Sequence, residues 1–216
     1  METMTANSIS ATTALHWFQN CAETYRQHKD ELTELDAAIG DADHGANMNR
    51  GFNAVEGKLA DLKDKDIGTI FKTVAMTLIS TVGGASGPLY GTFFLQAASH
   101  AIGKTALTQE ELGTAFSAGL QGLMNRGKAS VSEKTMVDAL VPALEALKTI
   151  EHDSLPAALE RAVAAAKKGA DSTVPLVATK GRASYLGDRS AGHLDPGAAS
   201  SVLLLEALQQ AVHSPA

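Results

Sequence analysis

The chain has 216 residues, 18 basic against 24 acidic side chains for a net charge of −6, 44% hydrophobic residues and one cysteine. By size scaling, a domain of this length buries roughly 70% of the surface its unfolded chain exposes, so it needs neither a disulfide nor a structural metal to hold it. Cys21 has no partner for an internal disulfide, no run reaches about 18 uninterrupted apolar residues, and no basic segment followed by an apolar run marks a secretory signal. A reducing cytoplasm is the expected compartment. The acidic balance lacks the charge footprint of a nucleic-acid binder, which leaves a small molecule or another protein as the expected partner and excludes nucleic acid and membrane.

Apolar residues recur at helical spacing almost throughout, as in Met48, Phe52, Val55, Leu59 and Leu62, while strand-like alternation is not visible. The pattern predicts eight helices, at about 8–27, 46–62, 67–82, 87–102, 109–126, 134–150, 155–177 and 197–213. Thr108 with Glu111 makes a capping-box pattern, Ser154 precedes Leu155-Pro156, and Asp195-Pro196 places a cap before a proline at the first helical position. Pro142 falls inside the sixth helix. No Pro/Ser linker, charge block or repeat divides the chain, so residues 1–216 are read as a single all-α domain, an antiparallel up-and-down bundle.

In such a bundle every odd-numbered connection falls at the same end. The odd connections are "LDAAIGDADHG" (35–45), "VGGASGP" (82–88), "NRGKASVSEK" (125–134) and "ATKGRASYLGDRSAGHLDPG" (178–197), whereas "DLKDKD" (61–66) and "GKTALTQ" (103–109) are ordinary charged turns. All the chemically unusual loops therefore share one rim.

On that rim Asp36, Asp41 and Asp43 lie close in sequence, and carboxylates this near repel one another unless a cation sits between them. Asp41 and Asp43, read as two residues apart in extended chain, point the same way with Cα atoms ~6–7 Å apart. Hard oxygen ligands without cysteine suit Mg²⁺, which completes its octahedron with water and phosphate oxygens. Taken alone, GDAD reads more simply as a turn or a helix cap; Asp36 and the glycine loops shift the balance toward a metal. "GGASGP" reads as a helix stop, with Gly83 left-handed and Ser86 capping the next helix, and the same amides suit a phosphate. "GLMNRGKA" (122–129) imitates G-x-x-x-x-G-K but lacks the Ser/Thr that binds Mg²⁺ and follows a helix, so a P-loop is rejected. Gly127 still lets a ligand approach the backbone. The long last connection, with Lys180, Arg182, Asp188, Arg189, His193 and Asp195, reads either as a lid or as a solvated charged loop.

Together, "LDAAIGDADHGANMNRGF", "TVGGASGPLYGTFF" and "GRASYLGDRSAGHLDPGA" resemble the nucleotide-binding L subunits of the dihydroxyacetone kinases, over nearly the whole chain. The resemblance implies an eight-helix antiparallel barrel holding ADP or ATP and two Mg²⁺ ions at one end, with Asp36, Asp41 and Asp43 as magnesium ligands. Nucleotide contacts carry over to His44, Gly45, Ala46, Asn47, Ala85, Ser86, Gly127, Met136, Arg182, Asp195, Pro196 and Gly197. It also implies a division of labour. A K subunit holds dihydroxyacetone through a histidine while the L subunit presents the γ-phosphate of ATP. In the phosphotransferase-dependent version, bound ADP is recharged by a phosphohistidine on an M subunit at the expense of phosphoenolpyruvate. Arg182, near the transfer end, is the expected catalytic residue, offsetting charge on the moving phosphoryl group. An L subunit of an ATP-dependent kinase for another ketose and a nucleotide-loaded regulatory sensor stay open, as does a homodimer. A helical Mg²⁺-diphosphate enzyme of the prenyl-synthase kind is disfavoured, because Gly40 and Gly45 bracket the aspartates in a loop.

Overall fold

In the computed structural model, which describes residues 7–148 and 154–213, nine α-helices form among those residues. They are α1 (Ala11–Gln27), α2 (Lys29–Ile39), α3 (His44–Glu56), α4 (Ile67–Thr81), α5 (Ser86–Ser99), α6 (Gln109–Gly127), α7 (Met136–Leu147), α8 (Leu155–Asp171) and α9 (Pro196–His213). The helix that the periodicity passed over is α2, half of which was expected as loop. His28 joins it to α1 with φ −95° and ψ 11°, close enough to helical that the two run as one bent column along α3. Eight columns therefore remain, and the alternation of connections is preserved.

Each column packs on the next in chain order, and α9 returns to pack on α1, closing the ring into a barrel. Two short strands were not anticipated: β1 (Ser8–Ser10) pairs antiparallel with β2 (Ala106–Thr108), Ile9 opposite Leu107. Three residues are too few to display alternation. The predicted second helix ends at Glu56 and continues as a 3₁₀ turn over Leu59–Leu62, and α8 stops at Asp171, short of 177. Positions 149 and 150, the predicted end of the sixth helix, lie outside the described residues. Pro142 does lie inside a helix, α7.

Side-chain caps set the helix starts. Ser10, Asp66 and Ser154 accept from the amides of Thr13, Thr69 and Ala157, and Thr108 with Glu111 completes its capping box. Thr135 and Asp138 form a second box at α7 that sequence reading missed. Trp17 fills the barrel's centre: it stacks on Phe18 at 4.7 Å, meets Phe71, Phe94 and Phe116 within 6.0 Å, and donates from Nε1 to the Leu204 carbonyl at 2.9 Å. Burying each such ring stabilises the fold by about 2–3 kcal/mol. Nearer the rim, Tyr25 stacks on Phe52 and donates to the Ser200 carbonyl at 2.8 Å, so the α1–α9 seam is hydrogen-bonded as well as packed.

Candidate functional site

The connections before α3, α5, α7 and α9 all reach one end of the barrel, where they enclose a cavity of about 450 Å³. Four helices thus begin on its wall, with His44, Ser86, Met136 and Pro196 as their first residues. Each helix start carries the positive end of its dipole, and that of α5 has no side-chain cap, so the up-and-down topology itself builds an end suited to anions.

Asp36 belongs to the last turn of α2 and not to the loop. It is buried, and its Oδ2 accepts from the amides of Asp43 (2.9 Å) and His44 (3.2 Å), capping α3 from the neighbouring helix. Gly40 makes room for it, since a Cβ there would lie 2.0 Å from Asp36 Oδ1. Ala42 has φ +60°, so the chain between Asp41 and Asp43 is turned and not extended, contrary to expectation. The turn nonetheless brings one carboxylate oxygen from each of Asp36, Asp41 and Asp43 within 4.8 Å of the others. Asp43 stands at the N-cap of α3 without making a side-chain cap bond. Because Asp36 does the capping, the Asp43 carboxylate makes no cap bond, and an all-carboxylate donor set of this kind fits Mg²⁺. Arg182 reaches across from the last connection, its Nη2 2.9 Å from Asp41 Oδ2.

Behind the carboxylates, the buried His44 ring lies between two hydroxyls, Nε2 to Ser200 Oγ at 2.9 Å and Nδ1 to Ser86 Oγ at 3.2 Å. Burial lowers its pKa, against the opposing pull of Asp36 and Asp43. Ser86 is therefore the first residue of α5 and not its cap; Ala85 is at the N-cap, and the amides there have no side-chain acceptor. The left-handed glycine of this loop is Gly84 (φ +63°) instead of Gly83. Gly45, Ala46 and Asn47 do not line the cavity, although Asp43 and His44 do. Gly45 fits tightly against Lys29 and Thr33 of α2, and buried Asn47 accepts from Arg50 and backs Gly83.

The opposite wall is more apolar, with Leu89, Leu123, Gly127, Ala129, Met136 and Val137, and it leads to Pro196 and Gly197. In the last connection the 3₁₀ stretch Arg182–Ser190 lies on α2, where Ala178 and Ala183 pack against Ile39. Asp195 caps α9 through Oδ2 and the Ala198 amide at 2.7 Å, and burial pushes its pKa up to about 7. Sequence reading missed Lys134, which lines the cavity yet is 1% exposed. A lysine in a polar stretch gives no sign of burial; the aspartate of the Thr135–Asp138 box was the available clue.

A family model described as the DAK2 domain matches residues 38–210. The ADP-binding subunit DhaL of the PEP-dependent dihydroxyacetone kinase of Escherichia coli K12 is 49% identical over 203 residues, spanning 93% of this chain and 97% of that subunit. The corresponding DhaL subunit of the PTS-dependent kinase of Lactococcus lactis is 45% identical over 206 residues, spanning 94% and 99%. The crystal structure of the dihydroxyacetone kinase of C. freundii in complex with AMP-PNP and Mg²⁺ superimposes with a TM-score of 0.69 at 25% identity, over 93% of this chain and 33% of that one. With three carboxylates and four helix starts around one cavity, and with close relatives that are kinase subunits matched end to end, this chain belongs to the DAK2-domain family.

Proposed function

We propose that this single-domain chain is the nucleotide-carrying subunit of a PEP-dependent dihydroxyacetone kinase. It would work in the cytoplasm with a K subunit that holds the acceptor and a phosphohistidine-bearing M subunit that recharges bound ADP. The observation that carries the reading is the meeting of three carboxylates and four helix N-termini at one cavity. Neither set alone suits a magnesium–nucleotide complex: aspartates repel phosphates, and helix starts repel Mg²⁺. A metal–polyphosphate complex satisfies both. The cavity volume, about 450 Å³, is of the size that encloses a small ligand.

In this assignment Asp36, Asp41 and Asp43 hold two Mg²⁺ ions. Bound Mg²⁺ supplies neutralisation of phosphate oxygens during phosphoryl transfer. The uncapped amides of α5 donate to phosphate, Ser86 being oriented by His44, while the wall of Leu89, Leu123 and Met136 receives the apolar body of the nucleoside. Arg182 brings a positive charge that can pass from Asp41 to a transferring phosphoryl group. Nucleophilic groups that line the cavity are already engaged, His44 by two hydroxyls and Lys134 by two carbonyls, which supports the need for a K subunit. The test is reconstitution: freshly purified protein releases ADP on denaturation and makes no dihydroxyacetone phosphate from ATP and dihydroxyacetone until a K subunit is added. Robust turnover by the isolated chain overturns the subunit reading.

A further inference from the structure

Lys134 lies in the connection between α6 and α7 with φ +61°, a left-handed conformation uncommon for a side-chain-bearing residue. Its surroundings are specific. Asp138 holds the backbone on both sides, accepting from the amides of Ser132 and Thr135. The buried ammonium donates to the Thr173 carbonyl at 2.6 Å, just past α8, and to the His193 carbonyl, just before α9. The two ends of the long connection are therefore fastened to one charged group. Thr173 is in turn bonded to Asp195, whose amide donates to Thr173 Oγ1 at 3.0 Å. Asp195 is buried, lines the cavity and interacts electrostatically with Lys134. Two carbonyl acceptors and a buried carboxylate beside the ammonium set Lys134 apart from a surface lysine.

We propose that Lys134 is a positioning residue of this cavity: its ammonium fastens the α8–α9 connection and is the counter-charge of Asp195, so that the Asp195–Gly197 wall meets a nucleoside as a fixed carboxylate. This rests on the nucleotide reading above. A carboxylate accepts hydrogen bonds from the hydroxyl and amino groups of a nucleoside, whereas the neutral acid presents a donor in their place. The groups that bear on Asp195 are Lys134, Asp138 on α7 and Tyr90 on α5, with His44 on α3 reaching the adjoining Pro196. Among them Lys134 is the cation that favours the ionised form; burial lowers its own pKa, and Asp195 and Asp138 pull it back up.

Mg-ADP affinity measured calorimetrically from pH 6 to 9 tests this in four proteins. The wild-type chain should bind more tightly as pH rises through about 7, where Asp195 ionises. Lys134→Met should move that rise to higher pH, weakening binding at pH 7 by roughly tenfold for each unit of displacement and recovering much of the loss by pH 9. Lys134→Arg, which keeps the charge, should keep the wild-type midpoint. Asp195→Asn should lose the rise altogether, which assigns it to this carboxyl, and Lys134→Gln takes the place of Lys134→Met should the latter not fold. A uniform loss at every pH in Lys134→Met, or a lower melting temperature with unchanged affinity, makes Lys134 a structural fastener only and overturns the proposal. So does an Asp195→Asn variant that keeps the wild-type profile. A wild-type chain that binds no Mg-ADP at any pH refutes the nucleotide reading instead; the Asp195 midpoint, followed by carboxyl NMR in ligand-free Lys134→Met, then still reports whether the two charges are coupled.

Discussion

Asp36 carries two duties that its neighbours do not share, and substitution separates them. Its carboxylate accepts from two amides at the start of α3, and it also supplies one of three clustered oxygens. Asp36→Ala leaves those amides without their acceptor. Hydrogen bonds to a charged group contribute about 1.5–3 kcal/mol each, and relief of repulsion from Asp41 and Asp43 offsets part of the loss, so the net cost should be about 2–3 kcal/mol. For a chain of this size that lowers the melting temperature by roughly 4–12 °C in the absence of ligand. Asp43→Asn removes a charge but no cap bond, so its ligand-free stability should stay within about 0.5 kcal/mol of wild type. Mg-ADP at a hundred times its dissociation constant stabilises the wild type by about 2.7 kcal/mol, and both variants should lose most of this. Thermal melts of the three proteins with and without Mg-ADP give the comparison directly. If ligand-free Asp36→Ala melts with the wild type, the capping argument is wrong; if Asp43→Asn keeps the full Mg-ADP shift, the metal assignment is wrong.

Arg182→Ala should leave the melting temperature almost unchanged, because the exposed pair with Asp41 contributes no more than about 1 kcal/mol, while reconstituted kinase turnover falls by roughly 10²–10³. Asp195 has a raised pKa in the folded chain, so its neutral form favours folding and this stability is lost as pH rises from about 4 to about 7. Asp195→Asn should therefore be more stable than wild type above pH 7 in urea denaturation, with the gain vanishing towards pH 4; a variant less stable at pH 8 contradicts the sign. His44 behaves oppositely: burial lowers its pKa, so its contribution is present above pH 6.5 and is lost on acidification below that value. Phosphoryl groups arriving from a labelled phosphohistidine donor should leave the ADP-loaded protein as free ATP, since both His44 ring nitrogens are already engaged by hydroxyls. Label that remains on the polypeptide under alkaline denaturation, and disappears in His44→Ala or His193→Ala, would sink this mechanism.

Helical periodicity and the parity of connections were enough to read eight columns and a single functional rim, because both are properties of pattern and not of exact boundaries. Alpha-helix α2 escaped since Lys29–Asp36 is charged and His28 gives no break signal; its large apolar residues, Leu32, Leu35 and Ile39, are too few to stand out. That one omission put Asp36 in a loop and hid its capping of α3. The convergence of the aspartates was legible while its means was not, as nothing in "DAD" announces a left-handed alanine. The motif resemblance carried expected nucleotide contacts through Asn47; in the structure the helical turn that begins at His44 directs Gly45 towards α2 and Asn47 towards Gly83. Lys134 was illegible for a physical reason: its burial is the product of two carbonyls 39 and 59 residues away in sequence.

The seam between α1 and α9 also constrains how the chain reaches its native state. Trp17 bonds to Leu204 and Tyr25 to Ser200 across 187 and 175 residues, so the ring stays open until nearly all of the chain has left the ribosome. Contacts so distant in sequence are slow to form, and until then the aromatic interior lacks one stave. Asp195, Pro196 and Gly197 begin the helix that closes the gap, which couples completion of the ligand cavity to the last step of assembly. A nascent or truncated chain without α9 therefore lacks the Asp195–Gly197 wall of the cavity and one stave of the core.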